Sequence, residues 1–560
     1  MKRVKIYIVV LLGIVAMLNT SCKDWLLEPS PGVTKLSDFF TSGETAGQAV
    51  VACYVPLMWE FNSTYFSEWF IGDVMSDDAL KGGQNIGDMA DVYDMENWKT
   101  NTNSTFLLDY YRAQYQGIGR CNLSLTYIPQ MELDEYLKQT VMDSIAVGAT
   151  TNMKERLLGE AYFLRAYYYF RLVRVFGALP KVDFVIESSD KWNQPAASVK
   201  DLYDFIISDL KNAEQRLWSK SIYEQSAHQG DMGRATKEAA WAMLQKVYLY
   251  MASPYWQNKR GMADKDECLA EAKIWGQKVI DVANNNGLFA LTDYSKLFTL
   301  PEENGKESIF EIQYMAEQTS DYGEGFGFTR GTFSSILTRS RAKKYGGGWG
   351  FNHPTQNLYD EFEAGDPRRD YCIFNPKTFD NEVEERYLGS PYLNRKLMFI
   401  EFYDHDLDSI VYTGLDHATR GPLNNKQIRY ADVLLMQAEI CAESGDVAGA
   451  TTCLNNVRST RGMATYPGYT FTTTTPSTGD ALIDAIRHER RMELAMEGHR
   501  WFDLVRWGIA KEAMDAYKAT ETEEAKSHMS EFVKGKHELL PLPSKEIDLQ
   551  PDLKSEPWYN

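Results

Sequence analysis

From Ile428 to Arg458 the chain reads as a helix, a turn at Ser444-Gly445-Asp446 and a second helix, with Ala438, Ala442, Ala448 and Ala450 at the crossing. Small residues there let two backbones approach closely, so the segment demands an antiparallel helix pair with an apolar seam. The same period recurs upstream. Leu157, Ala161, Leu164, Tyr168, Leu172 and Val175 follow at steps of three and four, one face of a helix ending at Gly177 and stopped by Pro180. Further helices are expected through Leu202 to Leu217, Ala239 to Met251 before Pro254, and Leu269 to Asn286-Gly287. A last amphipathic helix is expected from Ala481 to Gly508. No single hairpin buries such a face alone; stacking several does.

Paired helices of this length resemble tetratricopeptide repeats, whose period is about 34 residues. The expected fold is therefore mainly α: a tetratricopeptide-like scaffold of about four helix pairs, over residues 110–290 and 426–510. Residues 61–105 and 288–425 differ in texture, being rich in Gly, Asn, Asp and aromatics, with β-like runs such as Ser308 to Tyr314. These are expected to form a long loop-rich layer containing short β-hairpins, and structured loops of that length usually carry function. Thr472 to Thr475 read as a polar linker.

The N-terminus carries an address. Met1 to Lys5 is basic and Ile6 to Leu18 is an apolar run. Such a run rises about 20 Å as a helix, short of the roughly 30 Å hydrocarbon core, and so reads as a signal peptide over residues 1–21. Asn19-Thr20-Ser21-Cys22 resembles a bacterial lipobox, in which Cys22 would become the lipidated first residue of a body spanning 22–560. An ordinary signal peptide followed by an incidental cysteine is the alternative. The other six cysteines contain no C-x-x-C. Cys441 and Cys453, on adjacent expected helices, read as two buried thiols. With 44% hydrophobic residues the chain has ample material for a packed core. Its formal charge of −19 repels phosphate backbones and argues against a nucleic-acid partner.

The segment Gly159-Glu160-Ala161-Tyr162-Phe163-Leu164-Arg165-Ala166, followed by Tyr169-Phe170 and Phe176-Gly177-Ala178-Leu179-Pro180, resembles a motif of the SusD/RagB family. Gly233-Arg234-Ala235-Thr236, Pro354-Thr355, Asp366-Pro367-Arg368 and Arg429-Tyr430-Ala431-Asp432 resemble its later blocks. So do Glu489-Arg490-Arg491-Met492-Glu493-Leu494 and Gly498-His499-Arg500-Trp501-Phe502-Asp503-Leu504. The blocks fall in order over most of the chain. The resemblance implies an outer-membrane lipoprotein of Bacteroidetes on the extracellular face, partnered with a SusC-type TonB-dependent transporter. It implies a nutrient-binding protein that is not an enzyme and holds no cofactor, with oligosaccharide as the usual ligand and peptide as the alternative. It assigns no ligand residues, because those lie in variable loops.

Catalytic signatures are missing. His488-Glu489-Arg490-Arg491-Met492 opens like H-E-x-x-H but places Met492 where the second zinc ligand must stand. There is no G-x-S-x-G elbow and no phosphate loop. A carboxylate pair for glycoside hydrolysis would leave no signature and stays as a third alternative. Asp404-His405-Asp406 with Asp408, and Asp73, Asp77 and Asp78, read as solvated turns rather than metal sites. The charges Arg487, Glu489, Arg490, Arg491, Glu493, Glu497 and Arg500 read as an ion-pair network fastening the last helix. A sugar needs a flat ring under its C–H face and amides or charges for its hydroxyls. The candidates in the loop layer are Trp69, Trp98, Tyr322, Phe326, Tyr345 and Trp349, with Asn97, Asn101 and Asn352; any one of them could instead be core. Trp241, Trp275 and Trp501 lie on helices and are assigned to the interior.

Overall fold

A computed structural model describes residues 39–58, 68–142, 150–259, 261–315, 331–341, 347–375, 390–398, 402–404, 409–411, 421–550 and 553–554. The expected signal peptide and Cys22 lie outside the described residues. In chain order the helices used below are α1 (Gly43–Tyr54), α2 (Trp69–Val74), α3 (Thr105–Tyr127), α4 (Met153–Phe176), α5 (Val199–Arg216), α6 (Lys237–Ala252) and α7 (Lys265–Asn286). They continue as α8 (Gln356–Glu361), α9 (Tyr430–Glu443), α10 (Val447–Thr460), α11 (Ala481–Glu493), α12 (Arg500–Arg506), α13 (Ala510–Thr520) and α14 (Glu523–His528). The strands used below are β1 (Ala79–Gly82), β2 (Ser308–Ile312), β3 (Phe351–Pro354) and β4 (Asn425–Arg429). Every sheet among the described residues is a two-stranded ribbon.

Helix ends follow local chemistry. The Asn152 side chain accepts from Glu155 N at the start of α4, the Ser198 side chain from Asp201 N at the start of α5, and the Thr236 side chain from Ala239 N at the start of α6. Gly287, with φ +62°, closes α7 in the left-handed conformation. Each long helix then packs on the next, α3 on α4, α4 on α5, α5 on α6, α6 on α7 and α9 on α10, with α7 closing on α9. The fold class is mainly α with tetratricopeptide-like pairing.

The α7/α9 contact joins helices far apart in sequence, and a polar clasp holds it. Gln245 of α6 donates through Nε2 to Gln437 Oε1 of α9 at 3.0 Å, and Gln437 donates onward to Lys273 O of α7 at 3.2 Å. The clasp passes directly over Gly276, where a Cβ would stand 2.1 Å from Gln245 Nε2. Only glycine admits that crossing. Just before α9, β2 and β4 pair antiparallel, so both ends of the chain between α7 and α9 are tied to the scaffold.

One expected helix is corrected. The stretch from Ala481 to Gly508 is two helices, α11 and α12, broken where Met496 and Gly498 take φ +61° and +77°. The break lets α2 nest against the chain: a Cβ on Gly72 would fall 1.9 Å from Gly498 O. Buried Asp73 accepts the Gly498 N–H at 2.8 Å. A continuous helix would leave that carboxylate only the Asn352 amide as donor.

The charges of α11 and its surroundings form a buried network. Arg490 pairs with Asp432 and Asp503, each at 2.7 Å. Arg491 reaches Asp78 at 2.9 Å and Glu361 at 3.1 Å, and Arg500 reaches Asp77 at 2.7 Å. Asp73, Asp77 and Asp78 are therefore interior ion-pair and hydrogen-bond partners rather than a solvated turn. Arg368 bonds Asp366, Glu489 and Glu493, and Arg458 bonds Glu489 and Glu363. Burial raises the carboxylates while the arginines lower them; the arginines prevail at Glu497, at about 2, and at Glu493, well below the usual range, whereas burial prevails at Asp78. The network joins scaffold helices α9 and α11 to α8 and to the segment between α2 and β1. It anchors the loop layer.

Candidate functional site

β1 and β3 form an antiparallel ribbon in the register Ala79↔Pro354, Leu80↔His353 and Gly82↔Phe351. At its Gly82 end the turn 83–88 meets the segment 347–350, with Gly83 N donating to Gly350 O at 2.5 Å. Trp349 stands here. Its N–H donates to Ile336 O at 2.8 Å, its carbonyl accepts Arg341 Nη1 at 2.8 Å, and its ring is half-buried against the core. Arg341 lies 3.9 Å from Asp88, whose Oδ2 accepts the Gln84 N–H at 2.9 Å. Gln84, Asn85 and Ile86 are exposed on the same turn. The segment that bears the half-exposed indole is thus tied through its backbone to Arg341, which reaches the Asp88 turn with its exposed Gln84 and Asn85.

The turn is braced from beneath by buried Lys81, whose Nζ donates to Asn85 O at 3.1 Å and Asp88 O at 2.5 Å. Burial lowers Lys81 to about 8 against the opposing pull of Glu96 and Asp88. Glu96 accepts the Lys81 N–H at 2.9 Å, and burial raises its carboxyl to about 7. Below pH ~4.5 the carboxyl is protonated both folded and unfolded. Between ~4.5 and ~7 only the folded chain keeps the proton, so stability falls as pH rises through that window; above it the full penalty stands. Asp73, raised by burial to about 7, acts in the same sense. Glu96→Gln is expected to shrink the loss of Tm between pH 5 and pH 8. An unchanged loss in the variant would assign the dependence elsewhere.

The expected site residues separate. Trp349 alone among the expected rings is described at the surface. Trp69, Trp98, Asn97 and Asn352 are corrected to the interior. Trp69 stacks on Phe70 at 4.0 Å and donates to Ser334 Oγ at 3.2 Å. Trp98 packs among Trp501, Phe532 and His537. Asn97 Nδ2 donates to Tyr93 O at 2.9 Å, and Asn352 Nδ2 donates to Asp73 Oδ2 at 3.1 Å. Indoles that find aromatic partners bury more apolar surface than they would on a loop face, which is why sequence position misplaced them. Asn101 is exposed but belongs to a turn, accepting from Asn103 N, and that turn meets the C-terminal segment through Ser544. Tyr322, Phe326 and Tyr345 lie outside the described residues, as do His405, Asp406 and Asp408.

Trp275 and Trp501 are buried and Trp241 is half-buried, donating to Glu214 at 3.2 Å. Cys441 is buried and Cys453 half-buried, both free thiols. Sequence reading missed Arg341, Asp88, Gln84 and Asn85. Their signal is the Gly82-Gly83-Gln84-Asn85 turn, but its partner segment lies some 260 residues away, where no local pattern points. It also missed Trp192, an indole 68% exposed on the connection between α4 and α5. No helix among the described residues is long and apolar enough to cross a membrane.

Paired helices carrying a ring-and-amide loop surface define a binding protein on a helical-repeat frame. Residues 415–559 match the family model described as the SusD family, and residues 55–249 match the model described as starch-binding associating with outer membrane. Between them these cover more than half of the chain, which belongs to the SusD family. A SusD-like protein P2 of Formosa agariphila is 25% identical, with 98% of this chain and 97% of that one aligned. A SusD-like protein of Bacteroides ovatus is 25% identical over 88% and 81% of the two chains. Among solved structures, a laminarin-binding SusD-like protein superposes with a TM-score of 0.71 at 26% identity, covering 92% of this chain and 100% of the other. Surface glycan-binding protein A of Bacteroides thetaiotaomicron, in complex with laminarihexaose, matches in fold at TM-score 0.71 and 21% identity, over 92% and 99% of the chains.

Proposed function

We propose that this chain is a cell-surface glycan-binding lipoprotein that captures an oligosaccharide and passes it to a SusC-type TonB-dependent transporter. In this reading Cys22 carries the lipid anchor, residues 22–560 form the mature body at the extracellular face of the outer membrane, and 61–105 and 288–425 carry the ligand surface. The observation that carries the reading is Trp349, a half-exposed indole on the segment that meets the braced 83–88 turn, its carbonyl accepting from Arg341 and Arg341 lying 3.9 Å from Asp88. An indole face takes the C–H face of a pyranose with little loss of rotamer freedom, and the flanking charges and amides take its hydroxyls. The mechanism is binding alone; no bond is made or broken. The laminarin-binding relative makes laminarihexaose the first ligand to try.

Isothermal titration of the purified body against laminarihexaose, a panel of other oligosaccharides and a set of peptides tests it. Saturable binding to a glycan is expected. Binding to peptides with none to any glycan would overturn the sugar assignment. Continuing release of new reducing ends from a bound glycan would replace the binding protein with a hydrolase.

A further inference from the structure

The two most exposed large apolar side chains among the described residues stand on adjoining segments. Trp192, on the connection between α4 and α5, is 68% exposed, and Leu549, ending the helix Ser544–Leu549, is 67% exposed. The segments touch where Gln550 Nε2 donates to Gln194 O. Ile186 of the same connection is exposed as well. Apolar side chains scattered singly over a surface need no explanation, but these are not scattered.

Neither segment is loose. The connection closes at its base in a ribbon with the register Leu179↔Ala197 and Pro180↔Ala196. Asn122 of α3 donates through Nδ2 to Val182 O at 2.9 Å and to Phe184 O at 3.0 Å, and Tyr169 of α4 accepts the Val182 N–H at 2.6 Å. At the tip, Trp192 N donates to Ser189 O at 3.3 Å and Gln194 Nε2 to Lys191 O at 3.0 Å. The helix Ser544–Leu549 is pinned to α3 by Glu546, 2.9 Å from Arg112. An indole on a tip held this way gives up little freedom when a ligand settles on it.

The tip carries the chemistry of its partner. The Trp192 indole stacks on no other ring, and neither its N–H nor the exposed Asn193 amide has a hydrogen-bond partner among the described residues. An open indole followed directly by an open amide offers a face for the C–H side of a pyranose and donors and an acceptor for its hydroxyls. The apolar residues are interrupted by exposed Ser188, Ser189, Lys191 and Asn193, so the surface lacks the continuous apolar centre of a protein interface. The two segments set Glu187, Asp190, Glu546 and Asp548 against Lys191 and Lys545, a balance that opposes an anionic lipid surface and leaves a neutral glycan unhindered.

We propose that the Trp192 tip, with Asn193 and the adjoining Leu549 segment, is an accessory carbohydrate contact that takes a stretch of a long neutral glycan. The inference rests on the glycan reading of the Trp349 surface and extends it. No hydrogen bond or ion pair among the described residues joins either segment to the 83–88 turn or to residues 347–350, so the two platforms are separate contacts on one body. A polysaccharide that reaches both gains avidity that a short oligosaccharide does not.

The test uses the purified mature chain, with affinity electrophoresis in gels containing laminarin or other neutral polysaccharides and isothermal titration of laminarihexaose. Trp192→Ala, Trp192→Phe, Trp192→Leu, Trp349→Ala and the double alanine variant are compared, with circular dichroism and Tm verifying each fold. Trp192→Ala is expected to weaken polysaccharide retention about tenfold and to leave laminarihexaose affinity unchanged. Trp192→Phe is expected to keep most of the retention and Trp192→Leu little, because the ring face does the binding. Residual retention by Trp349→Ala is expected to vanish in the double variant. Retention untouched by Trp192→Ala, with loss in Trp349→Ala, overturns the accessory contact and leaves the principal reading standing. Loss in Trp192→Ala with no effect of Trp349→Ala does the reverse. Retention that Leu preserves as well as Phe, or Trp192-dependent binding of oligolysine or of phosphatidylethanolamine–phosphatidylglycerol vesicles without any effect on glycans, would also overturn it. A wild type retained by no polysaccharide sinks both readings.

Discussion

Arg429→Met is expected to lower the unfolding free energy by about 3–5 kcal/mol, read from urea unfolding followed by circular dichroism. The Arg429 guanidinium is buried and donates to Glu497 Oε2 and Oε1 at 2.8 Å, to Glu307 Oε1 at 2.8 Å, and to Glu493 Oε1 and O at 2.6 Å. Methionine keeps the apolar stem and removes every donor. Glu307 and Glu493 retain Arg461, and Glu497 retains Lys396 at 2.7 Å, so no carboxylate is abandoned outright. The charge balance nonetheless shifts by one inside a region that water does not reach, and such an imbalance is worth several kcal/mol. Added salt is expected to restore none of the loss, because a buried network lies beyond ionic screening. A change below about 1 kcal/mol would show that the strand β4 and helix α11 are held by packing alone.

Trp349→Ala carries the largest expected functional effect. An aromatic anchor at the centre of a binding surface contributes about 2 kcal/mol or more, so the Kd for a bound oligosaccharide should rise roughly thirtyfold or beyond. The fold should tolerate the change, because backbone hydrogen bonds at its N–H and carbonyl survive it. Titration of the variant beside wild type, with Tm recorded for both, separates lost affinity from lost structure. Unaltered affinity with an intact fold would move the ligand away from the β1/β3 turn.

Much of the scaffold is legible in the sequence, for a physical reason: a helix is specified by neighbours three and four residues apart. The face from Leu157 to Val175 reproduces α4, and the small residues around Ser444-Gly445-Asp446 reproduce α9 and α10. The break between α11 and α12 is hidden because apolar spacing continues through Leu494, Ala495 and Met496; what interrupts the helix is the distant α2 at Gly72. Site residues are harder still. Trp98 and Trp349 look equivalent on paper, each in a loop with an asparagine nearby. One is covered by Trp501 and Phe532, residues more than 400 positions away, and the other sits among Gly347, Gly348 and Gly350, which have no side chains to cover it. A ring flanked by glycines was the available local clue. The network of α11 was readable as ion pairs from helical spacing, whereas its partners Asp77, Asp78 and Glu361 were not, since pairing across the fold leaves no periodic trace.

The clasp over Gly276 has a kinetic corollary. Five long helices, α3 to α7, lie on near neighbours in sequence and assemble through short-range contacts. Besides α6, α7 packs on α9, which begins only at Tyr430. The entropy of closing so long a stretch grows only logarithmically, so the finished protein loses little by it, but the search for a distant partner is slow. During folding, the face of α7 around Gly276 waits uncovered until α9 is delivered. The timetable of maturation is thus governed by a late arrival, and the ring-bearing turn gains its rigid seat only once that arrival is complete.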